Sequence, residues 1–230
     1  MAFTRGANVV TDGLVLYLDA ANPKSFINGT TNWRDMSGNG MIASMSGSVP
    51  FNNTLVQGTF TFGNQASFII PENSTLNTQT PTVEVWTKTN ATTQNGFWFE
   101  KGNVNTQYAL FQEGANITWR HYFSNLSNFN SLIVPAASYI NTIDWFQVVG
   151  TFTSGVRRIY INGALVGSDS QTGTLNTNAN GMSIGVFGGF NGVRGYYYNG
   201  NISSVKVYNR ALTAEEVQQN YNAQKSRFNL

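Results

Sequence analysis

The segment that decides the fold runs from Gly200 to Glu216 and reads GNISSVKVYNRALTAEE. Its first half, Gly200–Tyr208, has the apolar and β-branched content typical of a strand. Its second half places Glu216 three residues after Thr213, which is the capping box that begins a helix. We therefore predict a strand over Gly200–Tyr208 followed by a helix over Thr213–Gln224.

The rest of the chain favours strands and turns. Asparagine (30 residues) and glycine (23) are abundant, and short apolar or alternating runs are separated by clusters of Gly, Asn, Ser and Thr. The Asn162-Gly163 pair predicts a type I′ hairpin turn. Two irregular segments, Ser124–Asn141 and Gly185–Asn199, are also expected. Further strands are predicted around Leu14–Asp19, Thr59–Phe62, Ser67–Ile70, Thr82–Thr87, Phe97–Lys101, Tyr108–Gln112, Ile117–Phe123, Trp145–Thr153, Arg157–Ile161, Ala164–Gly167 and Met182–Ile184.

This pattern predicts an all-β fold: a sandwich of two antiparallel sheets with one short C-terminal helix. Leu212 and Val217 flank the helix cap, and Tyr221 lies one turn after Val217, so the helix has a narrow apolar stripe. We expect it to lie against the outside of the sandwich. Residues 13–230 are predicted to form a single domain, preceded by an N-terminal arm over residues 1–12.

Composition excludes several classes of protein. Charged residues make up only 10% of the chain, the formal net charge is +2, and there is no cysteine. No basic run extends beyond Arg157-Arg158, so nucleic acid is not expected as a partner. Disulfides and zinc-thiolate sites are excluded, and neither a signal peptide nor an apolar run of about 20 residues is visible, so no membrane partner is expected.

Five blocks occur in the order seen in concanavalin A-like jelly rolls of the laminin-G type, and the chain resembles that family over nearly its whole length. The closing block carries the most specific resemblance. The blocks are Gly13–Asn22, Trp33–Gly40, Thr82–Trp86, Tyr160–Gly163 and Gly200–Glu216.

The resemblance implies a jelly-roll sandwich of two curved antiparallel sheets, with binding sites, when present, on loops or on the concave face. Single-domain versions of this jelly roll that lack a signal peptide resemble virion proteins of tailed bacteriophages. The leading hypothesis is a non-enzymatic virion structural protein, as capsid decoration, head fibre or tail component, made in the host bacterial cytoplasm. Its expected partners are other virion proteins and further copies of itself, with a cell-surface glycan as another ligand. The alternatives are a lectin-like adhesin and a glycanase.

Catalytic motifs are missing from the readable sequence. Glycoside hydrolysis needs two carboxylates about 5–9.5 Å apart. Glu84 has hydrophobic neighbours in TVEVW, and Glu100 is followed by Lys101. Convergence in space of a distant pair, such as Glu84 with Glu113, is the remaining route to a glycanase. His121 is interpreted as an ordinary sheet residue.

No cofactor is expected. Calcium, which is associated with this fold class, requires several oxygen ligands including carboxylates. The acidic stretch that the family often has is replaced here by FGNQASF at Phe62–Phe68. Asp19 and Asp35 are the candidate metal ligands, although Asp35 also fits an Asx turn that accepts backbone N–H groups.

Exposed aromatic residues are the candidate contacts for a glycan or a protein partner. The glycine-rich segment Gly185–Tyr198 holds most of them, with Trp33 and Trp119 as further candidates elsewhere. The alternative for Tyr196 and Tyr198 is that they begin the last strand and pack inward. Trp86 and Trp145 are assigned to the core, and Arg210 to structural bracing. The candidates within the segment are Phe187, Phe190, Arg194, Tyr196 and Tyr197.

Overall fold

The computed structural model describes residues 8–53, 58–63, 65–102, 107–124, 129–140, 143–153, 155–188 and 195–230. In this part of the chain, sixteen strands form two antiparallel sheets, and one α-helix, α1 (Ala214–Gln224), follows the last strand. The predicted fold class, a two-sheet sandwich with a short C-terminal helix, is therefore confirmed.

Sheet A has eight strands: β1 (Leu14–Asp19), β4 (Phe51–Asn52), β5 (Thr59–Phe62), β7 (Thr82–Thr89), β12 (Phe146–Thr153), β13 (Gly155–Ile161), β14 (Ala164–Gln171) and β16 (Gly200–Tyr208). Their order is β14-β13-β12-β7-β16-β5-β4, and β1 also pairs with β16. Strand β16 is long enough to pair with β5 through its first residues and with β1 through its last.

Sheet B also has eight strands: β2 (Asn32–Arg34), β3 (Ile42–Ser46), β6 (Ser67–Ile70), β8 (Gln94–Lys101), β9 (Tyr108–Gly114), β10 (Asn116–Tyr122), β11 (Phe129–Pro135) and β15 (Met182–Ile184). Their order is β11-β10-β9-β8-β15-β6-β3-β2. Alternate residues of both sheets point between them and form one large apolar core, for example Val83 and Val85 of β7 and Leu110 of β9.

All of the strands predicted from sequence are present, with ends that shift by a few residues. Four short or polar strands were missed: β2, β3, β4 and β11. The prediction that Ser124–Asn141 is irregular is wrong for Phe129–Pro135, which pairs with β10 along its whole length. The hairpin turn is confirmed, because Asn162 and Gly163 have φ angles of 50° and 79° between β13 and β14.

The helix covers the outer face of sheet A, as predicted. Thr213 and Glu216 form the reciprocal capping box, and Val217 is buried. The indole of Trp86, on β7, stacks on Tyr221 at 5.9 Å and on Phe228 at 4.2 Å between ring centroids. Trp86 is therefore buried between sheet A and the C-terminal helical residues. The half-buried Trp145 contacts Phe228 beside it.

A fully buried ion pair lies beneath the helix. Lys206 of β16 and Glu84 of β7 are neighbours across the two strands, and Lys206 Nζ lies 2.6 Å from Glu84 Oε1 with neither side chain exposed. From α1, Asn220 donates to Glu84 Oε2 at 2.8 Å, and Gln224 accepts from Lys206 Nζ. Hydrogen bonds between α1 and these two charged side chains thus link the helix to sheet A.

Residues 8–12 of the proposed N-terminal arm contact the sandwich itself. Val10 donates its N–H to Asn220 at 2.7 Å and accepts from the Tyr208 hydroxyl at 3.1 Å. Arg210 braces this junction, because it pairs with both Asp12 and Glu216. Residues 8–12 are therefore held by the sandwich itself, and residues 1–7 lie outside the described residues. No helix of the described residues is long and apolar enough to cross a membrane.

His121 makes the stability of the fold depend on pH. Its imidazole is fully buried beside Trp119 and Phe152, and neither ring nitrogen has a hydrogen-bond partner among the described residues. Burial, and secondarily the charge of Arg157, hold the pKa of His121 well below its usual value. The folded state therefore keeps the imidazole neutral.

We expect the free energy of unfolding to fall as the pH drops below about 6.5, where the unfolded chain takes up a proton on His121 that the folded chain refuses. Urea unfolding at pH 7.5 and pH 5 measures this loss. His121→Phe, which suits the aromatic surroundings, should remove most of it. The chain has one histidine, so an equal loss in the variant would contradict this assignment.

Candidate functional site

The outer face of sheet B, which points away from sheet A, carries a cluster of aromatic rings. Phe97 of β8 and Phe111 of β9 are cross-strand partners, and their rings stack 4.1 Å apart. Phe187 packs on Phe97 at 5.0 Å, and Tyr196 lies 6.4 Å from Phe97 and 6.0 Å from Phe187. We call Phe97, Phe111, Phe187 and Tyr196 the aromatic cluster.

The loop that carries Phe187 and Tyr196 is fixed to the sheet by backbone hydrogen bonds. Phe187 and Gly195 exchange a pair of N–H···O bonds at 3.0 and 3.2 Å, and Phe97 N–H donates to the carbonyl of Tyr196. The buried carboxylate of Glu100 on β8 accepts from Gly188 N–H at 2.6 Å. These bonds place the two rings over the sheet before any ligand arrives.

Tyr196 and Tyr198 point to opposite sides of the sheet. Tyr196 has a φ of 53°, in the left-handed region, and its side chain is 58% exposed. Tyr198 is fully buried and its hydroxyl bonds Thr87 at 2.7 Å. The inward packing considered for both residues therefore applies to Tyr198 alone.

Arg120 of β10 adds a charge beside the rings. Its guanidinium lies 4.5 Å from the ring centroid of Phe111 and 5.0 Å from that of Phe129, which is a cation–π arrangement on both sides. Glu113 lies 4.0 Å away and accepts from Thr118 at 2.8 Å. Burial lowers the pKa of Arg120, and the carboxylates of Glu113 and Glu100 oppose that effect.

A small cavity opens between these groups, with a volume of about 110 Å³. Phe97 and Phe111 are 2% exposed each, so they form its floor, while the other lining groups are polar or partly exposed. The arrangement combines buried aromatic rings at the base with charged and amide groups at the edge, which is the character of a site for a small polar group. The lining residues are Asn95, Phe97, Phe111, Glu113, Arg120 and Tyr196.

The structure separates the contact residues predicted from sequence. Phe187 and Tyr196 belong to the aromatic cluster, Tyr197 is half-buried next to it in sequence, and Phe190 and Arg194 lie outside the described residues. Trp33 and Trp119 are 0% exposed, so their assignment as contact residues is wrong. Trp33 packs on Phe60 and Phe68, while Trp119 packs on Tyr108 and donates to the Thr151 carbonyl.

Sequence reasoning missed Phe97, Phe111, Glu113 and Arg120. These residues sit on three different strands, and only the register of sheet B brings them together. One signal was available: Phe97–Phe99 and Tyr108–Phe111 are apolar at both odd and even positions, which indicates strands with both faces covered.

The glutamates considered from the sequence, Glu84, Glu100 and Glu113, lie at separate places on the two sheets. Glu84 lies on the outer face of sheet A and Glu113 on the outer face of sheet B, so the full sandwich, with sheets about 10 Å apart, separates them. Glu100 pairs with Ala109, four residues from Glu113 along β9, so the backbone positions of these two glutamates are about 13 Å apart. By this backbone spacing, neither pair matches the separation of about 5–9.5 Å that glycoside hydrolysis requires.

Asp19 and Asp35 are engaged in structural contacts. Asp35 accepts from the Ser37 N–H and the Tyr17 N–H at 2.8 Å each, which includes the predicted Asx turn. Asp19 pairs with Arg227 at 2.8 Å and accepts from Ala21 N–H. Across the described residues, no group of three or more His, Cys, Asp or Glu side chains is placed to hold a metal ion.

Two of the larger depressions elsewhere lack clustered rings. One of about 390 Å³ lies near Asn32, Ile42 and Glu72, and its described lining contains no aromatic side chain. Another of about 620 Å³ runs along α1 and is lined by Ala, Gly, Glu, Gln and Asn residues. The outer face of sheet B is therefore the better candidate, because it alone among these combines stacked rings with a positioned ion pair.

The two antiparallel sheets with a closing C-terminal helix define the class of jelly-roll sandwich domains. The family model of the concanavalin A-like lectin/glucanases superfamily, laminin-G type, matches residues 62–218. The chain belongs to this superfamily. No curated protein sequence matches it significantly.

Solved structures with the same fold include binding domains of clostridial toxins. The binding domain of Paraclostridial Mosquitocidal Protein 1 is 18% identical, with a TM-score of 0.72 over 93% of this chain and 52% of its own. The receptor-binding domain of botulinum neurotoxin mosaic serotype C/D is 21% identical, with a TM-score of 0.73 over 94% of this chain and 52% of its own. The binding domain of botulinum neurotoxin DC, solved in complex with SialylT, is 15% identical, with a TM-score of 0.69 over 93% and 52%. The chain therefore spans about half the length of these structures, and the likeness is one of fold.

Proposed function

We propose that the protein is a non-enzymatic, lectin-like binding module that recognises a carbohydrate through the outer face of sheet B. The observation that carries the proposal is the cavity between the aromatic cluster, Glu113 and Arg120. Sugar rings present apolar C–H faces and polar edges, and this face offers rings beside hydrogen-bonding groups. The separation of the carboxylates supports a role in binding without hydrolysis.

The comparison structures support carbohydrate as the ligand class. Botulinum neurotoxin DC has been solved with SialylT, and botulinum neurotoxin type C is described as interacting with two ganglioside molecules. Low overall charge also suits a neutral or weakly charged sugar, because 10% charged residues leave few ionic contacts to offer.

A glycan array tests this function. We expect the wild-type protein to bind a defined set of saccharides, and Tyr196→Ala to weaken that binding about tenfold, because the exposed ring would be lost from the site. Leu165→Ala is the matched control: Leu165 is an exposed apolar side chain on β14 of sheet A and should leave binding unchanged. A blank array with folded protein would refute the function.

We further propose that the module acts in a bacteriophage virion, in a homo-oligomeric or mixed assembly with other virion proteins. The resemblance of single-domain jelly rolls of this type to virion proteins supports this setting, and a cysteine-free chain suits maturation in a reducing cytoplasm. Mass spectrometry of purified particles is the test, and deletion of residues 1–7 should abolish incorporation. Absence from the particles would overturn the virion assignment and leave the binding function standing.

A further inference from the structure

We infer that the cavity between the aromatic cluster, Glu113 and Arg120 is a subsite for the acetamido group of an N-acetylated sugar. This inference rests on the proposed function and specifies its ligand. It starts from the size of the cavity, about 110 Å³. An apolar cavity of about 150 Å³ holds one benzene molecule, and whole-ligand pockets begin near 300 Å³. The cavity is therefore the size of a sugar substituent and smaller than a whole pyranose ring.

The floor of the cavity selects an apolar tip for that substituent. Phe97 and Phe111 stack in parallel, with an angle of 5° between their planes, and present carbon atoms to the cavity. A hydroxyl group placed against this floor would lose its hydrogen bonds to water without replacement, which is unfavourable. A methyl group would instead gain by leaving water.

The rim selects an amide next to that methyl group. The Glu113 carboxylate accepts from Thr118 through Oε2, and a carboxylate has about four lone-pair positions, so acceptor capacity remains for a ligand N–H. Arg120 donates through Nε to Ser131 at 3.3 Å. Its terminal nitrogens carry further donors, which suit a ligand carbonyl oxygen. Asn95 lines the same edge and offers a side-chain amide.

An acetamido group carries the methyl, the N–H and the carbonyl oxygen that suit these three parts of the cavity. Its methyl would face the rings, its N–H would donate to Glu113, and its carbonyl would accept from Arg120 or Asn95. The hydroxyl of an unmodified sugar at the same position supplies no apolar tip. Tyr196, with its exposed ring at the cavity mouth, would then lie against the sugar ring that carries the substituent.

Protein-observed NMR titrations with paired sugars test the inference. The probes are the methyl glycosides of N-acetylglucosamine and N-acetylgalactosamine, each beside methyl glucoside or methyl galactoside, which differ from them only at the 2-position. We expect at least one acetamido sugar to bind tenfold or more tightly than its hydroxyl counterpart, because one methyl is buried and one amide is satisfied. The shifted resonances should include those of Phe97, Phe111 and Arg120.

Glu113→Ala should reduce that preference about tenfold, since the acceptor for the amide N–H is lost. Glu72→Gln, an exposed carboxylate outside the lining of this cavity, is the control and should keep it. Equal binding within both sugar pairs, or shifts confined to residues outside the cavity, would overturn the inference while leaving a glycan-binding function in place. A blank glycan array with folded protein would refute the proposed function as well.

Discussion

Replacing Lys206 by methionine is expected to lower the free energy of unfolding by about 3–5 kcal/mol. The reason is the position of its partner: Glu84 is fully buried, and its carboxyl group would be left beneath α1 without its opposite charge. Asn220 would still donate to Glu84, but one neutral hydrogen bond does not replace a buried opposite charge. Urea unfolding at pH 7.5, with the slope compared among variants, measures the loss.

The double variant Glu84→Met with Lys206→Met shows how much the intact ion pair contributes to the free energy of unfolding, apart from the loss caused by leaving one buried charge alone. Both charges are then absent, and we expect the double variant to be more stable than the Lys206→Met single variant. Lys88→Met, on the same strand β7 but partly exposed, is the control and should change stability by about 0.5 kcal/mol or less. A loss in Lys206→Met below 1 kcal/mol, or strictly additive losses in the double variant, would contradict the buried-pair interpretation.

Both members of this ion pair stand out in the sequence. Glu84 and Lys206 are single charges inside apolar runs, TVEVW and SVKVY, and both runs were predicted as strands. A charge at such a position is buried only when it is paired. What the sequence did not contain was the pairing of β7 with β16, which are more than a hundred residues apart, so the interpretation of Glu84 was limited to the absence of a catalytic partner.

The local signals explain which elements could be predicted. Helix α1 has a capping box and an apolar stripe, and β16 has a continuous apolar run, so both are specified within a few residues of their own position. Strands β2 and β4 have three and two residues, which are too few to show the alternation of apolar and polar residues that predicts a strand. Strand β11 contains Asn130 and Ser131 and is held by its partner β10.

The candidate site was predicted only where one segment supplied it. Phe187 and Tyr196 stand in a single glycine-rich loop, and its aromatic content was visible directly. Their partners on β8, β9 and β10 depend on strand register, which long-range packing sets and local sequence does not. Trp119 was misassigned for a related reason: the alternation of β10 gives two faces, and only the opposing sheet decides which one is buried.

Trp119 is buried because a glycine on the other sheet makes room for its indole. A Cβ atom added at Gly150 of β12 would lie 2.7 Å from Trp119 Cδ2, closer than packed carbon atoms tolerate. Gly150→Val should therefore overpack the core and lower the free energy of unfolding by about 1–3 kcal/mol. Trp119→Ala should lower it by about 3–5 kcal/mol, because it leaves a cavity between the sheets.

The two substitutions together are expected to be less damaging than their sum, and the effect of Gly150→Val should change sign. In the Trp119→Ala background, the valine side chain enters the vacated space and replaces a flexible glycine in a strand, so it should stabilise the protein. A four-variant urea-unfolding cycle measures this coupling, which we expect to exceed 1 kcal/mol. Gly63→Val is the control, because a Cβ atom there would meet nothing within 4 Å. Additive losses would mean that Gly150 and Trp119 do not share the space between the sheets, and that another contact keeps the indole inside.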